Sequence, residues 1–334
     1  MKKVLLMGPS KSGKTSMRSL IFANYLPHDT SRLALTMEIE RSHVKFLGNL
    51  VLNLWDCGGQ YDFIDKYLTN QKDVIFSNVA VMVYVFDVAA LTKSDETEKD
   101  KWTRKRAFDY YHNCVEALGQ HSSHAKVFVL LHKVDLYPEG PERDEAIADA
   151  TKLVMEHNVD GIEVSFYSTS IWQSSLYDAW NTVIQHLVPN REIIAANVVG
   201  IRKACTAAHA AVFDRNTLLC ICNTSDESFP PLSMTATSNR LKRLKVALSR
   251  EMGNGVFWTS LDLRTNDSVA VIAPFTANTF IVVIRPMFTS SAAEEGDEDE
   301  ITPALLRANV EYAADKFRKF VEANPQLQST KEIL

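Results

Sequence analysis

Three short stretches of this 334-residue chain carry residue types whose spacing makes chemistry available. The first is "GPSKSGKT" at 8–15, which fits G-x-x-x-x-G-K-[ST]. It follows the apolar run "KVLLM" (3–7) and leads straight into a helical stretch. A loop of this kind turns backbone amides toward phosphate oxygens, and the helix that follows adds the positive end of its dipole. Ser10, Lys11, Ser12 and Gly13 supply the loop; Lys14, Thr15 and Ser16 stand at the helix start. Lys14 brings a cation to the β- and γ-phosphates, and the Thr15 hydroxyl ligates Mg²⁺.

The second stretch, "DCGGQ" at 56–60, closes the apolar run "LVLNLW" (50–55). Asp56 is placed to support the Mg²⁺ through a bound water. Gly59 offers an amide to a γ-phosphate with no side chain in the way. Gln60 is the candidate catalytic residue: phosphoryl transfer to water depends mainly on positioning, and its amide would orient the attacking water. The third stretch, "HKVD" at 132–135, selects the base. The Asp135 carboxylate accepts two hydrogen bonds from the N1–H and 2-amino group of guanine, donors that adenine lacks. Lys133 lays its aliphatic stem over the ring. His132 stands where Asn or Thr is more usual and would donate to guanine N7. In "STSIW" (168–172), Ser170 and Ile171 follow a strand, and the Ile171 amide is expected to reach guanine O6. A first switch needs one more hydroxyl for Mg²⁺ and the γ-phosphate. Thr36 is preferred because it abuts a strand, with Thr30 and Ser31 as rivals. Arg32 lies in the same loop, but no arginine of these motifs reads as an arginine finger. An activating protein is expected to supply one in trans.

These residues need a scaffold, and the first half of the chain has one. Apolar runs at 3–7, 36–46, 50–55, 79–88, 126–135 and 161–170 alternate with helical stretches, one of them from Lys14 to about Tyr25. Gly48-Asn49 marks a hairpin turn. The pattern predicts an α/β doubly wound, mostly parallel sheet over residues 1–188. The charged stretch 92–106 reads as a surface insertion or helix extension.

From residue 189 the pattern changes. A helix is expected over 191–210, then a strand at 217–223, a helix at 238–252, strands at 255–264, 267–275 and 279–287, and a last helix at 302–322. This predicts an α+β domain over 189–330, an antiparallel sheet with helices packed on it. The acidic run 290–300 is expected to be a disordered loop. On the helix 238–252, Leu241, Leu244 and Leu248 make an apolar face, and Lys242, Arg243 and Lys245 are expected on a solvated outer face.

Bulk properties narrow the classes. Apolar content of 46% and charged content of 23% suit a soluble globular chain. Net charge of −5 gives no case for nucleic-acid binding. The five cysteines are irregularly spaced, so buried free thiols in a reducing compartment are expected rather than a metal site or disulfides. No apolar run is long enough to span a bilayer. No myristate or prenyl signal is read, so membrane residence is expected only through a partner.

The residues together resemble one family, the Rag GTPases of fungal Gtr type, and within it the Rag A/B-like class. The likeness rests on "KKVLLMG", "SGKTSMRS", "HVKFLGNLVLNLWDCGGQ" and "TSIW", and is dense over residues 1–190. "WDCGGQ" is the most specific of these, because most small GTPases carry another triplet between the acid and the glutamine. "HKVD" suits the same family. After residue 190 the order of elements is similar to the family's roadblock-type domain. The resemblance implies a slow GTP/GDP switch in amino-acid signalling to the TOR complex 1 kinase. It also implies a heterodimer with a Rag C/D-like chain through the C-terminal domains, and a membrane-tethered scaffold holding the pair at the vacuolar or lysosomal surface. Two other readings stay open: a trafficking GTPase with a fused longin-like domain, and a nucleotide-locked scaffold.

Overall fold

The computed structural model describes residues 2–23, 25–33, 40–46, 50–56, 71–92, 97–188, 190–230, 232–252, 259–287 and 302–324. The hairpin turn at 48–49 and the acidic run 290–300 lie outside them. The chain divides into two compact units, the first drawn mainly from residues up to Val183 and the second mainly from Ile184 onward.

The first unit is built on β1 (Lys2–Met7), β2 (Glu40–Phe46), β3 (Leu50–Asp56), β4 (Val79–Asp87), β5 (Lys126–His132) and β6 (Val164–Thr169). They lie in the order β2-β3-β1-β4-β5-β6, and β1 pairs parallel with β3 and β4, as do β4 with β5 and β5 with β6. β1 and β4 are apolar on both faces because helices cover both; Val4, Leu5, Leu6, Val83, Tyr84 and Val85 are all buried. Parallel strands end together. The register sets Leu6 beside Asp56 and Asp87 beside His132, which in turn lies beside Thr169. That edge, beyond the carboxyl ends of the strands, is where such sheets hold ligands.

The helices of this unit are α1 (Lys14–Phe22), α2 (Lys72–Phe76), α3 (Val88–Thr92), α4 (Glu98–His121), α5 (Pro141–Glu156) and α6 (Ser175–Gln185). α1 is shorter than expected. It stops at Phe22, and a 3-10 segment, Pro27–Arg32, follows. The charged stretch 92–106 is largely a helix extension. Thr97 and Asp100 close a capping box on α4, and the first buried residue of that helix is Ala107. Tyr111 of α4 packs edge-on against Tyr84 of β4, centroids 5.0 Å apart, which fixes the helix on the sheet. Lys3 is buried with its Nζ 3.8 Å from the centre of the Trp55 ring, and it donates to the carbonyls of Val74 and Ser77. One cation therefore ties the end of β3, next to Asp56, to α2.

The second unit comprises α7 (Arg191–Ala204), β7 (His209–Asp214), β8 (Cys220–Ser225), α8 (Met234–Met252), β9 (Leu261–Arg264), β10 (Ser268–Pro274), β11 (Thr279–Pro286) and α9 (Pro303–Ala323). Its antiparallel sheet has the order β8-β7-β11-β10-β9. Leu241 of α8 packs with Phe213, Ile272 and Phe280. Phe317 of α9 stacks on Phe275, centroids 4.8 Å apart.

Two expectations fail here. The helix expected over 191–210 stops at Ala204, and β7 is a strand that was not foreseen. The alanine-rich sequence favours helix, but residues 207–213 are buried throughout and 209–213 are zipped between β8 and β11, so tertiary burial overrides propensity. The turn uses Thr206 at φ 46° where glycine is the usual stop signal. The second failure is Lys242, which is buried rather than solvated; burial and the neighbouring Lys245 push its ammonium down to about 7. The described cysteines, at 114, 205, 220 and 222, are free and buried.

Phe275 is fully buried, so Phe275→Ala should lower the stability of the second unit by about 3–5 kcal/mol. Urea unfolding of the full chain, followed by circular dichroism, should show an earlier transition. An unchanged midpoint would mean the Phe275–Phe317 stack does not hold that unit together.

Candidate functional site

The loop 8–13 connects β1 to α1 and requires glycine at both ends. Gly8 has φ 140°, and a Cβ there would collide with the Val85 carbonyl of β4. Gly13 has φ 99°, and its Cβ would lie 2.6 Å from His132 Cδ2 and 2.9 Å from Nε2. Both are conformations that side-chain-bearing residues adopt only under strain. Within the loop, the buried Lys14 folds back so that its Nζ donates to the carbonyls of Gly8 and Pro9, each at 2.8 Å. Ser12 is buried beside it. Thr15 follows in the first turn of α1.

β5 delivers the base-side residues. Lys133 takes a left-handed conformation, φ 63°, which swings its side chain back across the loop. Its Nζ donates to the Lys11 carbonyl at 2.8 Å and to Asp87 Oδ2 at 2.7 Å. Asp87 was not foreseen, because an acid at a strand end is common. The available signal was its register opposite His132 on adjacent parallel strands. Asp135 lies in a 3-10 turn, Val134–Leu136, and is exposed rather than buried.

His132 stands between the phosphate loop and β6. Its ring is buried, its Nδ1 shares a hydrogen bond with Thr169 Oγ1 at 2.9 Å, and its other edge faces Gly13. Burial, then the Lys133 charge, pushes its pKa down to about 4, so the imidazole is neutral near pH 7. In this position it braces the phosphate loop against β5 and β6. Ser170 is buried; its N–H donates to Ser175 Oγ and its Oγ accepts from the Trp172 N–H, which shapes the turn carrying the half-buried Ile171.

The remaining candidates divide. The Asp56 backbone ends β3 at the same edge as the loop, and its side chain is not described. Thr36, Gly59 and Gln60 lie outside the described residues. Thr30 is buried in the 3-10 segment, where its hydroxyl donates to the Pro27 carbonyl at 2.7 Å, and Ser31 donates to the His28 carbonyl. Among the described residues no group of three His, Cys, Asp or Glu side chains is arranged around a metal. The ligands expected from the sequence, the Thr15 hydroxyl and the Asp56 carboxylate, are oxygen donors of the kind Mg²⁺ takes together with phosphate oxygens.

Sheet, loop and base-side turn define a P-loop G protein followed by a longin-like domain. A family model described as the Gtr1/RagA G protein conserved region matches residues 3–241. The chain is 38% identical over 325 residues to Ras-related GTP-binding protein A of Dictyostelium discoideum, covering 96% of this chain and 98% of that protein. It is 40% identical over 326 residues to GTP-binding protein gtr1 of Schizosaccharomyces pombe, covering 97% and 96%. Similarity to Ras-related GTP-binding protein C of Homo sapiens is lower, 29% over 194 residues, covering 56% and 44%. The chain belongs to the Gtr1/RagA family, in its Rag A/B-like class.

The Gly13–His132 contact makes two predictions. Gly13→Ala should weaken guanine-nucleotide binding about tenfold or more, since a strained backbone position costs about 1–3 kcal/mol. Adding His132→Ala should return part of the loss by removing the collision, and fluorescence titration with a labelled nucleotide reads both. Unchanged affinity in Gly13→Ala would refute the fit. The second concerns pH. The folded His132 value lies below the ordinary 6.5, so as pH falls the unfolded chain takes up the proton first. Stability present above about pH 6.5 is then lost toward pH 4, by on the order of 3 kcal/mol. Thermal melts between pH 7 and 4.5 should fall more steeply for the wild type than for His132→Asn; parallel curves would contradict a buried neutral imidazole.

Proposed function

We propose that this chain is a GTP-binding switch with slow intrinsic hydrolysis, the Rag A/B-like subunit of a Rag heterodimer. The observation that carries this reading is the junction of two motifs. Lys133 and His132 of the base-side turn grip the phosphate loop at Lys11 and Gly13. A ligand with a phosphate tail and a guanine head would engage both at once. In this reading the loop amides and Lys14 hold the phosphates, and Thr15, Thr36 and Asp56 serve Mg²⁺. Gly59 meets the γ-phosphate and Gln60 orients water. Asp135 selects guanine, helped by the Ile171 amide. Mg²⁺ would offset the phosphate charge; the residues named here bind, orient and exclude. The exposure of Asp135 suits a carboxylate reached by an incoming base edge. Hydrolysis by positioning alone is slow, and an arginine donated in trans by an activating protein would accelerate it by about 10³–10⁵.

The second domain, residues 189–330, serves in this reading as a roadblock-type dimerisation module for a Rag C/D-like chain. The similarity to Ras-related GTP-binding protein C is consistent with a paired architecture. No helix among the described residues is long and apolar enough to cross a membrane. Placement at the vacuolar or lysosomal surface would then come through a tethered scaffold, and output would pass to TOR complex 1.

Base selection is the direct test. Asparagine at 135 presents one acceptor and one donor, which match the N1–H and C2 carbonyl of xanthine but not the paired donors of guanine. Asp135→Asn should lose affinity for GDP by roughly a hundredfold or more and gain it for xanthosine diphosphate. Equal GDP binding by both proteins would remove Asp135 from the site.

A further inference from the structure

The 3-10 segment Pro27–Arg32 and the turn after β6 meet through two rings. His28 and Trp172 stand edge to face, with centroids 5.2 Å apart and planes at 84°. Trp172 is 54% exposed, so its ring stays accessible beside His28. Its side of the contact is rigid. The Trp172 N–H donates to Ser170 Oγ at 3.1 Å, the Gln173 N–H donates to the Ser170 carbonyl, and Gln173 Oε1 accepts from Arg143 Nη2 at 2.8 Å.

The other side is held mostly by itself. In residues 27–32 only Thr30 is buried. Thr30 and Ser31 donate to the carbonyls of Pro27 and His28, and Asp29 accepts from the Leu26 N–H. These bonds fix the shape of the segment without anchoring it across the cleft. The ring contact supplies that anchor. It joins the arm that continues from the phosphate loop through α1 to the arm that carries Ser170 and Ile171.

We propose that the His28–Trp172 contact is a clasp across the mouth of the nucleotide site, which sets how long a bound guanine nucleotide stays. This rests on the GTP-binding reading given above. Release of a nucleotide held between the two arms requires them to part, and parting them breaks the edge-to-face contact. The same contact ties the lead-in to the first switch to the base side of the site, so movement of either arm is felt by the other.

The test uses the full chain loaded with a fluorescent GDP analogue and chased with excess GDP. Trp172→Ala and His28→Ala should each speed dissociation by about two- to tenfold, the span expected from one aromatic pair. The double variant should be no faster than the faster single, because one contact is lost either way. His28→Phe keeps an edge-to-face ring and should restore slow release, which a merely structural role for His28 would not predict. Thermal unfolding of the nucleotide-free variants should match the wild type. If the wild type holds the nucleotide while both single variants release it at the wild-type rate, the clasp is overturned. Single effects that multiply in the double variant overturn it as well. A wild-type chain that does not retain the analogue at all overturns the GTP-binding reading and the clasp together.

Discussion

A glycine in a left-handed conformation pressed against a buried, uncharged imidazole is the constraint on which the site depends. Gly13 and His132 belong to segments far apart in sequence, and there is no room between them for a methyl group. The contact works only with a neutral ring: a proton on His132 would place a buried charge beside Lys133, in a position that burial alone already disfavours. Thr169 fixes the ring from the third side. The phosphate loop is thereby braced on strands rather than on other loops, the arrangement that keeps a positioning site accurate.

The lysines complete this arrangement. Lys14 and Lys133 come from different motifs, yet both end on carbonyls of the same loop. In a trans peptide the C=O and N–H point opposite ways, so drawing the Pro9 carbonyl toward Lys14 turns the Ser10 amide the other way. Cations held on carbonyls thus help to orient amides. Asp87 balances the Lys133 charge, and its position at the end of β4, one strand from β1, keeps that balance within the sheet. Each contact is modest singly. Their shared dependence on strand register is what makes the loop a unit.

Much of this was legible in the sequence, because phosphate and base recognition depend on local spacing. "GPSKSGKT" and "HKVD" place their residues within one turn of a strand end, where neighbours in sequence are neighbours in space. What was missed depends on pairs distant along the chain. Asp87 meets Lys133 only because β4 and β5 are adjacent, and His132 turns to Gly13 only because β5 lies one strand beyond β4. In the second unit the expected helix was carried on to residue 210, into the start of β7, since alanine signals helix locally while the burial there comes from β8 and β11. Lys242 was placed outside by its charge, whereas the packing of α8 buries it. Local rules failed where the deciding partner was not local.

The 3-10 segment Pro27–Arg32 shows what local bonds can hold. Thr30 is buried and donates within its own 3-10 turn, so its hydroxyl serves to keep that turn wound. A ligand to Mg²⁺ and the γ-phosphate would have to be freed from such a bond or share it, and either adds a cost to every cycle. The turn holds its shape through its own bonds. A nucleotide-driven switch in general needs a short element that holds its shape through local bonds beside one whose shape is set by the nucleotide. Outside Thr30 the segment is little buried, so its shape rests on these internal bonds.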